Sequence, residues 1–365
     1  MKIMISGGGT GGHIFPALAI ADAINRLHPS ANFLFVGAQG RMEMEKIPAA
    51  GYPIEGLWIS GFDRQKMWRN FSFPFKLVSS LAKSYRLLKK FKPDAVVGVG
   101  GFASGPILEV AHRMGIPTLI QEQNSYPGVT NKLLARKVNR VCVAFEKMDA
   151  YFPNEKIVIS GNPIRQSLLA SNWSRTSARK DLGIAEDQKV VLALGGSLGA
   201  RTLNQMFAQN TAAIEARPNI FYIWQYGALY EEEYSQSKTA QLPNVKAVKF
   251  IDDMARMYAA SDLIVARAGA LTLTELAALG KAALLIPSPN VAEDHQTKNA
   301  RRLTESAAAG LLEDKNAVDG GIDRIQELVG QKEVLETYER NIKSFYRADA
   351  AERIATEVIK LAQEA

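Results

Sequence analysis

The sequence predicts an α/β protein built from two doubly wound, Rossmann-like domains. Three observations carry that expectation. Short apolar runs alternate with helical stretches along the chain, the pattern of parallel sheets covered by helices. Twice an apolar run passes straight into a glycine cluster and then a helix, as IMIS-GGGTGGH-IFPALAIADAIN and as VVLAL-GGSLGA-RTLNQMF. The length of 365 residues suits two domains that each bury a core. Ligands of such sheets bind beyond the carboxyl ends of the strands, so the two domains are expected to face each other across a cleft.

In chain order, the apolar runs at 2–6, 33–37, 95–99, 117–121, 140–145 and 157–160 read as strands of the first half. Those at 190–194, 220–225, 245–250, 263–266 and 282–286 read as strands of the second. Helical spacing of apolar residues fills many of the intervals, at 15–27, 104–114, 127–137, 199–216, 271–280 and 294–309. GNPIR at 161–165 and the polar stretch 171–180 mark the seam between halves. The tail, 349–365, reads as a helix in which Asp349 and Glu352 form a variant capping box. Its apolar stripe is Ile354, Val358 and Leu361.

Composition removes several classes. With 47% hydrophobic and 22% charged residues the chain is neither disordered nor collagen-like. A lone cysteine, Cys142, allows no internal disulfide and no cysteine-cluster zinc site, and fits a reducing cytoplasm. Four histidines without HExxH argue against catalytic zinc. The N-terminus reaches glycine too soon for a secretory signal, and no run approaches the ~20 apolar residues of a membrane span.

The GGGTGG cluster at 7–12 sits where strand one hands over to helix one. Glycine lets backbone N–H groups approach an anion, and the helix N-terminus adds partial positive charge, so diphosphate binding is the natural reading. A tight turn without ligand is the alternative there and at GGSLGA, 195–200, where Ser197 offers a hydroxyl. GxGxxG is also satisfied at 7, 9 and 12, but strand two ends Val36-Gly37-Ala38-Gln39 without the carboxylate that holds a dinucleotide ribose. Arg41 keeps NADP open as an alternative. No GxxxxGK[ST] follows either strand.

RAGALTLTE at 267–275 forms a third strand-to-helix loop, and Glu275 could accept two hydrogen bonds from a ribose diol or be an ordinary surface glutamate. EDHQTKN at 293–299 offers groups that could read sugar hydroxyls. His13, directly after the first loop, has the right ordinary pKa of ~6.5 for proton transfer near neutrality. Glu122 and Asn124 stand at another strand end, where Asn124 could equally cap a helix.

Residues 61–92 hold nine Lys or Arg against Asp63, more net charge than the +7 of the whole chain. Phe62, Met67, Trp68, Phe71, Phe73, Phe75 and Leu77 are interleaved with those cations. Cations beside aromatics suggest an anionic membrane surface. A helix with a solvated basic face is the alternative, and no nucleic-acid motif accompanies the charge.

GGTGGH (8–13), GGFASGP (100–106), EQN (122–124), GNPIR (161–165), GGSLGAR (195–201), FIDDM (250–254), RAGALTLTE (267–275) and DHQTKNA (294–300) together resemble one family, in its order and over essentially the whole chain. It is the bacterial peptidoglycan N-acetylglucosaminyltransferase family, MurG, of the two-domain GT-B class. The resemblance implies an inverting, metal-independent transfer of N-acetylglucosamine from UDP to the C4 hydroxyl of undecaprenyl-diphosphate-linked muramyl-pentapeptide. It implies an acceptor- and membrane-associated domain over 1–162, a UDP-sugar domain over 163–345, and a helix in 346–365 returning to the first domain.

By the same resemblance His13 is the base, with Glu122 as the substitute. Arg165 and Ser197 contact the diphosphate, Ile251 meets uracil through its backbone, and Glu275 holds the ribose. Ala270, Leu271, Thr272, Leu273 and Thr274 line the nucleotide. Thr10, Gly11, Gly12, Asn124 and Gln296 approach the amino sugar, although His295 stands where some relatives carry a second glutamine. No cofactor and no metal are expected. The expected partners are the two substrates, an anionic membrane and other cell-wall synthesis proteins, with no nucleic acid. The expected location is the cytoplasmic face of the bacterial inner membrane, peripherally bound.

Overall fold

The computed structural model describes residues 1–61, 71–164, 166–196, 198–291 and 294–364. The chain divides into two compact units, Met1–Arg165 with Arg347–Ala365, and Gln166–Tyr346.

The first unit runs β1 (Lys2–Ser6), α1 (Gly11–Leu27), β2 (Asn32–Ala38), α2 (Glu43–Ala49), β3 (Ile54–Leu57), α3 (Phe73–Phe91), β4 (Ala95–Gly98), α4 (Ser104–Arg113), β5 (Thr118–Glu122), α5 (Val129–Leu134), β6 (Arg140–Val143) and β7 (Ile157–Ile159). Its strands form a seven-stranded parallel sheet in the order β3-β2-β1-β4-β5-β6-β7. The strands are apolar on both faces because both are covered. From β1, Ile3 and Ile5 enter one core with Ile20 and Ile24 of α1, while Met4 points to the other with Val36, Val96 and Ile107.

The second unit runs α6 (Gln166–Leu169), α7 (Arg175–Leu182), β8 (Lys189–Leu194), α8 (Arg201–Gln209), α9 (Thr211–Glu215), β9 (Ile220–Gln225), α10 (Glu231–Tyr234), β10 (Val245–Val248), α11 (Met254–Ala260), β11 (Leu263–Ala266), α12 (Ala270–Leu279), β12 (Ala283–Leu285), α13 (His295–Thr304), β13 (Gly310–Leu311), α14 (Asp314–Gly330) and α15 (Lys332–Ile342). Its parallel sheet has the order β10-β9-β8-β11-β12-β13. Both sheets therefore reverse direction of winding beside their first strand, between β1 and β4 and between β8 and β11. That switch point is where a doubly wound sheet opens a ligand crevice.

The last helix, α16 (Ala350–Gln363), belongs to the first unit. Ile354, Ala355, Val358 and Leu361 enter the core formed by Ile3, Ile5 and the apolar side of α1. Removing a buried side chain of this size to Ala costs about 2–5 kcal/mol, so the tail is part of the fold. The expected capping box at its start does not form. Asp349 makes no side-chain cap because its backbone (φ −88°, ψ 7°) is not in the extended cap conformation, and its carboxylate accepts from Arg353 instead.

Candidate functional site

Three loops meet at the carboxyl edge of the first sheet, where β1, β4 and β5 lie side by side. After β1 the chain passes through Gly7–Gly9, with Gly9 at φ +88°, to Thr10, the N-cap of α1. Gly11, Gly12 and His13 are the first three helical residues. Their turn carries no acidic side chain, so the positive end of the helix is not offset by a local carboxylate on the helix itself. Thr10 is exposed, with its side chain uncommitted to capping.

His13 is half-buried, and its Nδ1 lies 2.9 Å from the Gly8 carbonyl. A carbonyl only accepts, so Nδ1 carries the proton and the neutral ring has its lone pair on Nε2. Thr10 Oγ1 stands at 3.4 Å from the same nitrogen. Across the ring lies Gly100, at φ +91°, where a Cβ would fall 2.8 Å from His13 Cδ2. A side chain at position 100 would displace the imidazole.

Glu122 ends β5 and is 1% exposed. Its Oε1 accepts from the Asn124 backbone N–H and Nδ2, and its Oε2 from the Gly128 N–H and Asn131 Nδ2. Both oxygens are therefore spent on shaping the 122–131 turn, which holds Asn124 at the sheet edge. Gln123 donates to the Val99 carbonyl at 2.7 Å, tying this turn to the loop after β4. Asn162 of the GNPIR segment joins the buried amides, accepting from Gln121 and donating to the Gln123 carbonyl.

In the second unit the corresponding edge is formed by the loops after β8, β11 and β12. Gly269 caps α12, whose first residues are Ala270, Leu271, Thr272 and Leu273. Thr274 turns its hydroxyl back to the Ala270 carbonyl, and Glu275 accepts at Oε2 from the Tyr258 hydroxyl, 3.1 Å away. Ile251 buries its side chain with Ile264, Leu194 and Leu273, so only its backbone is left to face a ligand. His295 opens α13, and Gln296 accepts at Oε1 from the Ser288 N–H at 2.9 Å, which fixes its amide orientation. Arg165 and Ser197 lie outside the described residues.

Sequence reasoning missed the residues that tie these loops together. Arg267 donates to the carbonyls of Ile286 and Pro287 and pairs with Asp314, which also accepts from Thr202. Buried Asn299 donates to the Ala268 carbonyl. Glu43, on α2, accepts from the N–H groups of Gly9 and Ala38. A charged or amide residue at the start of a helix gives no sign in sequence of a partner 30 or more positions away. Among the described residues no group of three or more His, Cys, Asp or Glu is gathered as a metal cage.

The glycosyltransferase family 28 N-terminal domain matches residues 3–143, and the glycosyltransferase family 28 C-terminal domain matches residues 190–354. The UDP-N-acetylglucosamine--N-acetylmuramyl-(pentapeptide) pyrophosphoryl-undecaprenol N-acetylglucosamine transferase of Phocaeicola vulgatus is 50% identical over all of this chain and 97% of its own length. The enzyme of the same name from Bacteroides fragilis is 48% identical over all of this chain and 96% of its own. The crystal structure of Acinetobacter baumannii MurG is similar at a TM-score of 0.76 and 30% identity, covering 98% of this chain and 99% of that one. With both halves matched and full-length relatives near half identical, the chain belongs to glycosyltransferase family 28, among the MurG enzymes.

Proposed function

We infer that the chain moves N-acetylglucosamine from UDP-N-acetylglucosamine to the C4 hydroxyl of the muramyl sugar in undecaprenyl-diphosphate-linked muramyl-pentapeptide. The observation that carries this reading is His13, held at a helix N-terminus beside a glycine loop with Nδ1 on the Gly8 carbonyl. The donor is α-linked and the product β-linked, so one displacement inverts the anomeric carbon. Nε2 takes the C4 hydroxyl proton while the oxygen forms its bond to C1. The bond from C1 to the β-phosphate oxygen breaks, and its electron pair leaves with UDP. Amides at the starts of α8 and α12, with Arg165 and Ser197, neutralise the departing diphosphate without a metal. Glu275 takes the ribose hydroxyls, while Gln296 and Asn124 read the amino sugar. Glu122 we assign to shaping the turn that carries Asn124, leaving His13 as the base.

The acceptor's lipid stays in a bilayer, and α3 supports peripheral attachment to it. The C-terminal part of α3 packs Leu81, Leu87, Leu88 and Phe91 on the core, but its first turns leave Phe75 68% and Val78 66% exposed. Phe71, just before it, is 88% exposed, and Arg86, Lys89 and Lys90 stand on the solvent side. An exposed apolar strip beside cations fits an anionic membrane surface, here the cytoplasmic face of the inner membrane. Among the described residues no helix is long and apolar enough to cross a membrane. The aromatic residues Phe62 and Trp68 lie outside the described residues.

Transfer of labelled N-acetylglucosamine from its UDP donor into a lipid-linked muramyl acceptor tests the reading. His13→Ala should lower kcat by ~10²–10⁴-fold, the usual contribution of a general base, with binding of the donor retained. A wild-type protein that hydrolyses or epimerises the donor without labelling the lipid would overturn the assignment.

A further inference from the structure

Glu43 is a buried carboxylate under the glycine loop with no part in the reaction as written above. It opens α2, is 1% exposed, and accepts at Oε2 from the Gly9 N–H (2.9 Å) and at Oε1 from the Ala38 N–H (3.0 Å). The backbone makes room for it. A Cβ on Gly8 would lie 2.1 Å from Oε1, and one on Gly37 would lie 2.5 Å from Glu43 Cγ. The Gly9 N–H and the Gly8 carbonyl are the two ends of one peptide unit. Glu43 accepts from one end, and the other end accepts from His13 Nδ1 at 2.9 Å.

We propose that Glu43 is a positioning residue that acts on His13 through the Gly8–Gly9 peptide, a carboxylate–peptide–imidazole relay. The proposal rests on His13 being the base. A charged acceptor on the peptide N–H polarises the amide and makes its carbonyl oxygen the stronger acceptor. That carbonyl then holds the imidazole proton on Nδ1, keeps the lone pair on Nε2, and stabilises the imidazolium once the sugar hydroxyl has given up its proton. In serine hydrolases a carboxylate does this by touching the histidine directly. With a peptide in between, the negative charge stays on the far side of the loop from the anionic diphosphate that the loop is suited to bind. Nearby Thr10 carries no charge, and its oxygen stands too far from Nδ1, at 3.4 Å, to supply the same effect.

Nitrogen-15 NMR of the His13 ring in the wild-type protein should show the Nδ1–H tautomer, a measurement that needs no variant. Glu43→Gln keeps the volume and removes the charge. It should shift the ring toward a tautomer mixture and lower kcat roughly ten- to a hundredfold, by analogy with the outer partners of metal-binding histidines. KM for UDP-N-acetylglucosamine should stay within about twofold, since the change acts in the chemical step. In a His13→Ala background the same substitution should cost nothing further. An Nε2–H tautomer in the wild type, or an equal loss of kcat with and without His13, would overturn the relay. If His13→Ala kept wild-type turnover, the assignment of the base would fail, and the ring tautomer would still report whether Glu43 controls it.

Discussion

Replacing Glu122 by Gln separates a turn-shaping carboxylate from a base. The substitution is nearly isosteric, so its effect comes from hydrogen bonding. Glu122 accepts from two donors at each oxygen, in a site only 1% exposed. The glutamine carbonyl can keep one pair, but its amide then points N–H groups at the other two donors. Each buried donor left without an acceptor costs about 1–3 kcal/mol, so the variant should lose about 2–6 kcal/mol of stability. Asn131 Oδ1 has no hydrogen-bond partner among the described residues, and turning that amide over would offer it to the new NH₂ group. The same turn would break the bond from Asn131 Nδ2 to the Gln121 carbonyl and set two oxygens face to face, so it does not recover the loss. Chemical denaturation of both proteins measures the difference, and turnover below the melting transition completes the test. The variant should be less stable and retain more than a tenth of wild-type kcat. A variant as stable as wild type whose kcat had fallen by a factor above ~10², the scale of a lost base, would make Glu122 catalytic and refute the reasoning.

Glu275→Ala should weaken UDP binding at least tenfold by calorimetry, because charged hydrogen bonds to the ribose are worth about 1.5–3 kcal/mol each. Tyr258→Phe, which removes the donor to Glu275, should weaken it less and leave the fold intact. Phe75→Ser with Val78→Ser should reduce binding to anionic vesicles, and charge reversal at Lys89 and Lys90 should reduce it further by about 1 kcal/mol per lost cation, an effect that added salt screens. Equal binding by these variants would remove α3 from the membrane face. Glu109, whose carboxyl is held below its ordinary range first by the Lys137 hydrogen bond and then by Arg113, gives a pH signature. A depressed folded-state pKa contributes stability that is present above the unfolded value, ~4.3, and lost as pH falls through the lower folded value. Glu109→Gln should therefore cost up to about 1 kcal/mol at neutral pH and lose its difference from wild type once acid takes the pH below the depressed folded value.

The strands beside the switch points were legible in the sequence because each is a short, mainly apolar run that passes within three residues into a glycine loop. β3 was not, since IEGL carries a charge and a glycine and lies at the sheet edge, where one neighbour suffices. β13 is two residues long and leaves no pattern to read. The positions proposed to face the substrates stand out as motifs because their pattern is local: glycine, then a helix start, then a histidine. Their supports were not, because Glu43, Asn299 and Asp314 act on loops 31 to 47 residues away and look like ordinary polar helix residues. Asp349 shows the opposite error, a correct local spacing defeated by a backbone angle.

The return of α16 to the first core bears on how the chain is made. Synthesis proceeds from the N-terminus and domains usually fold in that order. Here the second unit is continuous in sequence, Gln166–Tyr346, and has all its residues before the first unit does. The unit translated first still lacks Ile354, Val358 and Leu361 from its core until the final helix has been synthesised. During that interval the apolar side of α1 stays open to water, to chaperones or to a neighbouring nascent chain. Translation interrupted within the codons for α16 would leave a chain with one finished half and one unclosed half. A truncation that removes this helix would therefore act on the first-made unit.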